Sequence, residues 1–221
     1  MTTSPTAYRC HSRGGPATRG ARTMRLLDLF SGAGGAAMGY YRAGFTDITG
    51  VDNRPMPRYP FKFIQADALE YLAEHGHEYD VIHASPPCQA FTRARLIYGR
   101  EHPDLLTPTR ELLVQTGKPW VIENVPGAPM RPDIVICGSI FGQPRLKRHR
   151  WFELSNPILH LLPPCQHDNG NIISVFGHGG HIYHGKWEWE EVMGIDWMKK
   201  RNWHRPSRLR TPNGLGNDLW K

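Results

Sequence analysis

The stretch Leu26-Leu27-Asp28-Leu29-Phe30-Ser31-Gly32-Ala33-Gly34-Gly35 decides the fold of this 221-residue chain. Its apolar first half is typical of a buried β-strand, and its second half is a glycine-rich turn. Glycines at a strand end allow backbone N–H groups and the start of the following helix to approach a ligand closely. The pattern therefore predicts a loop that binds a nucleotide-like cofactor, although its spacing is not the G-x-G-x-x-G of nicotinamide enzymes.

Segments of strand and helix character alternate downstream of this loop. Strands are predicted at residues 25–30, 48–51, 61–64, 79–83, 120–123, 134–137 and 151–154, and helices at 36–43, 69–74, 109–116 and 188–193. Strands joined by crossover helices pair in parallel, because each right-handed crossover returns the chain to the same end of the sheet. We therefore predict an α/β fold with a doubly wound, mostly parallel, Rossmann-like sheet that binds ligands at the carboxyl ends of its strands.

The length and composition of the chain fit one intracellular domain. No apolar run reaches the length of a membrane span, and the N-terminus lacks the apolar region of a signal peptide. The four cysteines show no disulfide-framework spacing. We therefore expect a cytoplasmic protein with no membrane segment, in a compartment that keeps thiols reduced.

The formal net charge of +7 lies entirely in the two ends of the chain. Residues 1–23 carry a net charge of +4 and residues 199–221 a net charge of +6, which leaves −3 for residues 24–198. The overall charge is therefore poor support for nucleic-acid binding, and a local basic cluster is the better indication. That cluster contains Arg145, Lys147, Arg148 and Arg150.

Two later strands end in residues that can carry chemistry. Cys88 follows the strand at 79–83, and Pro86 and Pro87 before it fix the backbone that presents the thiol. Glu123 ends the apolar run of the next predicted strand. Taken singly, Cys88 fits a small buried hydrophobe and Glu123 a surface acid. Together they form a specific pair, and we predict that Cys88 is a nucleophile and Glu123 an acid catalyst.

Two aspartates follow the second and third predicted strands. Asp52 stands where an acidic residue commonly accepts hydrogen bonds from ribose hydroxyls, although a strand-end turn residue is an equal alternative. Asp67 fits either an acceptor for an adenine amino group or a cap for the helix that follows it, and the sequence alone favours the cap.

The glycine loop, a Pro-Cys-Gln thiol motif and a Glu-Asn-Val carboxylate motif occur in that order. This order resembles the DNA (cytosine-5)-methyltransferase family over residues 24 to about 198. The resemblance implies a methyltransferase fold that uses S-adenosylmethionine, and methyl transfer to cytosine C5 in double-stranded DNA, with the base swung out of the duplex. It implies that the cofactor is held by Phe30, Ser31, Gly32, Ala33, Gly34, Gly35, Asp52, Asp67, Ala68 and Pro87.

The resemblance also implies roles in catalysis. The Cys88 thiolate would add to C6 of cytosine while Glu123 protonates N3, which converts the ring into an enamine whose C5 is nucleophilic. The family's Gln-x-Arg-x-Arg motif maps onto Arg148 and Arg150, of which one would touch the cytosine and one would steady the acid or a phosphate. Leu146 stands where the family has its Gln, which is a departure from the pattern.

A second Pro-Pro-Cys-Gln occurs at residues 163–166, but no glutamate strand follows it. We therefore expect Cys88, and not Cys165, to be the nucleophile. Histidines near Cys165 raise the question of zinc, but their spacings match no common set of zinc ligands, and we predict a polar loop without a metal. The histidines concerned are His167, His178, His181 and His184.

The two ends of the chain are predicted to lie outside the catalytic unit. Residues 1–23 lack apolar periodicity and are predicted to be a disordered extension that adds nothing to fold or catalysis, with Met24 as an alternative start. Residues 24–154 are predicted to form the catalytic and cofactor-binding domain. Residues 155–198 are a short segment at the family's target-recognition position, and residues 199–221 are an atypical basic tail.

The tail departs from the family's closing segment Leu-Ala-x-Ala-Ile-Pro-Pro-Ala-Tyr, which packs beside the cofactor loop. Codons can be chosen for residues 202–216 and then translated in the reading frame that starts at the third base of each codon. One choice of synonymous codons gives Leu-Ala-Gln-Ala-Ile-Pro-Pro-Ala-Tyr-Thr-Glu-Trp-Ile-Gly in that frame. This chain fixes two bases of every shifted codon, so such agreement is not expected by chance. We therefore predict a frameshift near residues 198–202, and with it weak cofactor binding and low activity of this form.

Two other functions stay open from the sequence. An RNA cytosine-5 methyltransferase shares these motifs, and a catalytically impaired or vestigial nucleic-acid-binding protein would keep the residues without holding the cofactor. The compact size resembles small bacteriophage or prophage members of the family, which implies DNA methylation of the restriction-modification kind. We expect a monomer whose partner is double-stranded DNA.

Overall fold

The computed structural model of the chain describes residues 22–91, 103–157, 162–167 and 172–173. The strands are β1 Arg25–Leu29, β2 Asp47–Asp52, β3 Lys62–Gln65, β4 Val81–Ala84, β5 Trp120–Asn124, β6 Ile134–Cys137 and β7 His149–Leu154. The helices are α1 Gly35–Arg42, α2 Ala68–His75 and α3 Leu106–Thr116, and short 3-10 helices cover Gly76–Glu78, Cys88–Phe91 and Gly138–Phe141. The predicted elements in these ranges are confirmed, with ends that shift by three residues at most. The predicted helix at 188–193, most of the 1–23 extension and the 199–221 tail lie outside the described residues.

The strands form one sheet in the order β3-β2-β1-β4-β5-β7-β6. The first five strands in this order pair in parallel, and β7 pairs antiparallel with both β5 and β6. The order reverses between β1 and β4, which is the kind of switch point at which α/β sheets bind ligands. The predicted doubly wound, mostly parallel fold is thus confirmed, and the antiparallel β6–β7 pair completes it at one edge.

Side chains of β1 alternate between two packed layers. Leu27 and Leu29 are fully buried on one face against residues of α2 and α3, and Leu26 packs on the other face with Ala37 of α1. This burial on both faces explains the nearly continuous apolar run in the sequence. No helix in the described part of the chain has the length and hydropathy to cross a membrane.

A buried ion pair holds β7 in the sheet. Glu153 of β7 is 4% exposed and accepts two hydrogen bonds from the Arg110 guanidinium of α3, at 3.0 and 2.8 Å. The backbone N–H of Arg131 donates to the same carboxylate at 3.2 Å. A bidentate pair fixes geometry as well as charge, so it keeps the strand that carries Arg150 beside β5.

Asp28 is a buried carboxyl in the middle of β1. It is 1% exposed, and its Oδ2 accepts a hydrogen bond from the Tyr59 hydroxyl at 2.9 Å, while its Oδ1 has no partner among the residues described. Burial raises the pKa of Asp28 to about 7, because the charged form loses its hydration; the Tyr59 hydrogen bond opposes this rise and the charge of Glu123 adds to it. Asp28 therefore stays protonated at pH values at which an exposed aspartate is charged.

We expect Asp28→Asn to change how stability depends on pH. Between about pH 4 and pH 7 the folded chain keeps the Asp28 proton and the unfolded chain releases it, so stability falls by up to about 1.4 kcal/mol per pH unit. Asparagine resembles the neutral carboxyl and removes this loss, so the variant should gain stability relative to the parent as pH rises through this window. Urea unfolding at several pH values measures the gain, with Asp47→Asn at the exposed end of β2 as the control. Parallel pH profiles for the parent and Asp28→Asn would contradict the assignment.

Candidate active site

A cleft of about 500 Å³ opens at the carboxyl edge of the sheet, where β1, β2, β4 and β5 end. The glycine loop, the Pro-Cys-Gln motif, the Glu-Asn-Val motif and the basic motif all contribute to its walls. Motifs far apart in the sequence therefore meet where this fold binds ligands. The predicted site residues that line the cleft are Phe30, Gly32, Asp52, Asp67, Ala68, Pro87, Cys88, Glu123, Arg148 and Arg150.

The other residues predicted to hold the cofactor, Ser31, Ala33, Gly34 and Gly35, are not among those that line the cleft. Gly34 has a φ of 86°, and a Cβ placed there would lie 2.7 Å from Cδ of Pro60. Close packing inside the protein therefore requires this glycine. Ser31 is 8% exposed, and its hydroxyl has no partner within the described ranges.

Asp52 joins the end of β2 to the glycine loop. Its Oδ2 accepts a hydrogen bond from the backbone N–H of Gly32 at 3.0 Å, and its Oδ1 accepts one from the N–H of Arg54 at 3.0 Å. Phe30, two residues before Gly32, has a φ of 55°, which is uncommon for a residue with a side chain. The Asp52 contact and the packing of the Phe30 ring against the core hold this strained turn at the cleft.

Asp67 is the N-cap of α2. Its Oδ1 accepts hydrogen bonds from the backbone N–H groups of Leu69 and Glu70, at 2.8 and 3.1 Å. The capping role that the sequence favours is thus confirmed. Both bonds use one carboxylate oxygen and the residue also lines the cleft, so capping is compatible with contact to a ligand.

The neighbouring strand fixes the loop that presents Cys88. Cys88 starts a 3-10 helix shortly after β4 and is half-buried at the cleft. Asn124, at the end of β5 and 3% exposed, donates from its side-chain amide to the Pro86 carbonyl at 3.1 Å. Its Oδ1 accepts from the backbone N–H of Val125 at 2.8 Å. The Asn of Glu-Asn-Val therefore clamps the proline loop, a role that the sequence motif did not reveal.

Glu123 lies between two nitrogen-bearing side chains. Its Oε1 is 3.1 Å from Nε of Arg150, and its Oε2 is 3.9 Å from Nε2 of His83. The Glu123 side chain is 23% exposed, so it reaches the cleft while most of it is shielded from water. The contact with Arg150 supports the expected role of one arginine in steadying the acid.

Arg148 is mostly buried and interacts with both residues of the predicted catalytic pair. Burial lowers the pKa of Arg148 to about 10, the charge of Arg150 lowers it further, and the charges of Glu123 and Cys88 oppose the shift. The guanidinium therefore still carries its charge at neutral pH. The cleft therefore holds a fixed positive charge near both predicted catalytic residues.

Leu146, at the position of the family's Gln, points into the protein. It is 6% exposed and forms a bridge with Ile173. It also covers Gly138, since a Cβ placed on Gly138 would lie 2.4 Å from Cγ of Leu146. An apolar side chain fills this space without a hydrogen-bond partner, which a buried Gln would need.

His83 is a buried site residue that the sequence motifs did not identify. It is 2% exposed on β4, with Nε2 2.9 Å from the Ser85 hydroxyl and Nδ1 3.2 Å from the Tyr40 hydroxyl. Burial lowers the pKa of His83, although Glu123 opposes the shift, so the imidazole is neutral at pH 7. His83 therefore orients Ser85 at the start of the proline loop. The sequence signal that could have identified His83 is its position as a histidine inside an otherwise apolar strand.

The second Pro-Pro-Cys-Gln does not contribute to the cleft. Cys165 is exposed, and its sulfur lies 3.2 Å from Nε2 of His149. His167 lies near Cys137 in the same region. This placement supports Cys88, and not Cys165, as the nucleophile. The spacing of these cysteines and histidines along the chain did not predict that they would lie together. His178, His181 and His184 lie outside the described residues.

Comparison with known proteins agrees with the motifs. A family model described as C-5 cytosine-specific DNA methylase matches residues 24–131. Type II methyltransferase M.HgiDI of Herpetosiphon aurantiacus is 32% identical over 155 residues, which are 57% of this chain and 50% of that protein. Type II methyltransferase M.HgiGI of the same organism is 31% identical over 116 residues, which are 46% of this chain and 90% of that protein.

A SAM-dependent methyltransferase from Agrobacterium tumefaciens is among the similar solved structures. It has a TM-score of 0.39 and 18% identity, over 62% of this chain and 57% of that chain. The present chain spans half of M.HgiDI and 49% of Type II methyltransferase M.AquIA of Picosynechococcus. It therefore covers about half the length of these curated relatives.

Proposed function

We propose that this chain, which belongs to the family of C-5 cytosine-specific DNA methylases, transfers a methyl group from S-adenosylmethionine to C5 of cytosine in DNA. One observation carries the proposal. A thiol, a carboxylate and two arginines share a single cleft with the glycine loop and its acidic partners. This set matches what cytosine methylation needs, namely a nucleophile, an acid, fixed positive charge and a place for the methyl donor.

The residues of the glycine loop fit S-adenosylmethionine. A Cβ at Gly32 or Gly35 would have no atom within 4 Å, so there is open space above the loop and the start of α1. Asp52 offers a carboxylate for ribose hydroxyls, and Phe30 offers an aromatic face for a purine. The buried hydroxyl of Ser31 is a further donor and acceptor without a partner in the described structure. When bound, S-adenosylmethionine supplies a methyl group on a positively charged sulfur, which an activated C5 can attack.

Cys88 activates the base. Cytosine C5 is a poor nucleophile because the ring is aromatic and uncharged. The Cys88 thiolate adds to C6, and the electron pair of the C5–C6 double bond moves through the ring toward N3. After methylation, loss of the C5 proton and expulsion of the thiolate restore the aromatic ring, and return of the N3 proton to Glu123 restores the free enzyme.

Glu123 completes this step by donating a proton to N3. Glu123 lies near the end of β5, and Cys88 follows the neighbouring parallel strand β4, so one base in the cleft can contact both side chains. Arg150 holds Oε1 of Glu123, which restricts the carboxyl to one orientation. A positioned acid of this kind contributes about 10²- to 10⁴-fold to a proton-transfer rate.

The substrate base enters the cleft from outside the DNA stack. A thiol in a cleft cannot reach C6 of a paired base, so the cytosine has to swing out of the duplex. The exposed Lys147 and the half-buried Arg145 precede β7 in the turn that leads to the cleft arginines. Side chains of this kind suit phosphate contacts, which position a duplex without reading its sequence.

The proposal is tested by incubating the full chain with S-adenosylmethionine labelled on its methyl group and either double-stranded DNA or transfer RNA. We expect label in DNA, recovered as 5-methylcytosine. Label in transfer RNA alone would favour an RNA cytosine-5 methyltransferase instead. DNA binding without label and without measurable cofactor binding would favour the impaired or vestigial protein.

We expect Asp52→Ala to weaken S-adenosylmethionine binding by about 10- to 100-fold, because a hydrogen bond to a charged group contributes about 1.5–3 kcal/mol. The variant also loses the contact that orders the Gly32 backbone. Calorimetric titration measures the change, and Asp47→Ala at the exposed opposite end of β2 is the matched control. Equal affinities for Asp52→Ala and the control would exclude Asp52 from the cofactor site.

A further inference from the structure

Four potential metal ligands meet at the far side of β7 from the cleft residues. We call Cys137, His149, Cys165 and His167 the Cys₂His₂ cluster. Their ligand atoms, two sulfurs and two imidazole nitrogens, all lie within 4.8 Å of one another. None of the four belongs to the cleft. The cluster therefore has no part in the proposed methyl transfer.

Two sulfur–nitrogen separations within the cluster are close to the value expected around one tetrahedral ion. The sulfur of Cys137 is 3.6 Å from Nε2 of His167, and the sulfur of Cys165 is 3.2 Å from Nε2 of His149. With Zn–S near 2.3 Å and Zn–N near 2.05 Å, a tetrahedral zinc site places sulfur and nitrogen about 3.6 Å apart. A thiol–imidazole hydrogen bond explains one such pair, but not the meeting of two pairs at one point.

One of the four ligands is fully buried, and the other three lie nearer the surface. Cys137 is fully buried at the end of β6, and its thiol donates to the Leu146 carbonyl at 3.7 Å. The rings of His149 and His167 meet edge to face with centroids 5.5 Å apart. Two thiolates and two neutral imidazoles balance the charge of one Zn²⁺, so the site has no net charge to bury.

The chain positions of the ligands indicate what a metal would do. Cys137 ends β6, His149 begins β7, and Cys165 and His167 come from the segment that follows β7. Successive residues of a strand point to opposite faces, and His149 stands between Arg148 and Arg150, which line the cleft. An ion held by His149 would therefore fix the start of β7 between the two arginines, without touching the substrate.

We propose that Cys137, His149, Cys165 and His167 bind one structural Zn²⁺ that anchors the segment after β7 to the β6–β7 pair. All four coordination positions are filled by protein, which is the mark of a structural site and leaves none for a water nucleophile. Binding releases the two thiol protons, and no oxidant or reductant takes part.

The metal content of the full chain tests the proposal directly. Protein expressed with added zinc and purified under reducing conditions without chelators should contain one zinc per chain, as measured by mass spectrometry of the elements. Replacement of zinc by Co²⁺ should give the intense visible bands of a tetrahedral ion and a thiolate-to-cobalt charge-transfer band. Cys165→Ser and His167→Gln should lose the metal. Cys88→Ser and His77→Gln are the matched controls and should keep it.

Several outcomes would overturn the proposal. One is wild-type protein that holds no stoichiometric zinc and gives only the weak spectrum of octahedral Co²⁺. A second is equal loss of metal in Cys165→Ser and Cys88→Ser. A third is a Cys137–Cys165 disulfide, found by mass spectrometry in freshly prepared, unreduced protein. If a ligand variant does not fold, the cobalt titration of the wild type still decides the question, since it needs no variant.

Discussion

Cys88→Ser is expected to abolish methyl transfer, with a fall in kcat of at least about 10⁴-fold. The serine hydroxyl is about the size of the thiol, so it leaves the cleft and the Asn124–Pro86 clamp in place. Its oxygen is far less ionised than a thiol at neutral pH, and no general base stands ready to take its proton in the proposed mechanism. Single-turnover assays with labelled cofactor and DNA measure the loss.

The control for this prediction is Cys10→Ser, which removes a thiol from the predicted N-terminal extension. The control should keep the parent rate, and both variants should bind S-adenosylmethionine as the parent does. If Cys88→Ser transferred methyl groups at a rate near that of the control, the nucleophile would have to be another group.

Glu123→Gln is expected to lower kcat by about 10²- to 10⁴-fold, with little change in cofactor affinity. The glutamine keeps the shape of the side chain but cannot donate a carboxylic proton to N3. It also changes the carboxyl group that lies 3.1 Å from Nε of Arg150, so the orientation of the arginine loosens as well. Steady-state rates with DNA, together with cofactor titrations, separate the catalytic loss from a binding loss.

Glu111→Gln on the exposed face of α3 is the matched control for Glu123→Gln and should leave the rate unchanged. A parallel variant, Arg150→Lys, keeps the positive charge but not the fork geometry, and should lose less activity than Glu123→Gln. Full activity in Glu123→Gln would remove this residue from the mechanism.

The sequence was sufficient for the fold because its signals are local and agree with one another. β1 is an apolar run followed by glycines, and every predicted crossover gives the same parallel order. The nearness of Cys88 and Glu123 follows from that order, since β4 and β5 are neighbours in the sheet. Pairing of β7 antiparallel to β5 was not predicted, because it joins distant segments and local sequence signals do not describe its direction.

Features that depend on three-dimensional packing were not predictable from motifs. The buried, protonated Asp28 lies inside a stretch that otherwise indicates only a strand and a loop. The clamp from Asn124 to Pro86 joins two motifs whose contact no spacing rule describes. The sequence predicted no metal near Cys165 because zinc motifs are identified by short spacings, whereas the ligands of the Cys₂His₂ cluster come from two strands and a later segment.

The basic tail at 199–221 determines how much S-adenosylmethionine an activity assay needs. It lies outside the described residues, and the frameshift that we predict there implies weak binding of the methyl donor. Assays should therefore use saturating S-adenosylmethionine and compare the present chain with a version in which residues 202–216 carry the shifted-frame peptide. Higher affinity in the second chain would support the frameshift.

Peptide mass spectrometry of the chain trapped on DNA that contains 5-fluorocytosine tests the central claim most directly. Fluorine at C5 cannot leave as a proton does, so methyl transfer leaves the attacking residue covalently bound to C6. In the presence of S-adenosylmethionine we predict one cross-linked peptide, which carries the methylated base on Cys88. A cross-link on Cys165 or on another residue would contradict covalent catalysis by Cys88. So would the absence of a cross-link in both the present chain and its shifted-frame version, if both bind DNA and cofactor.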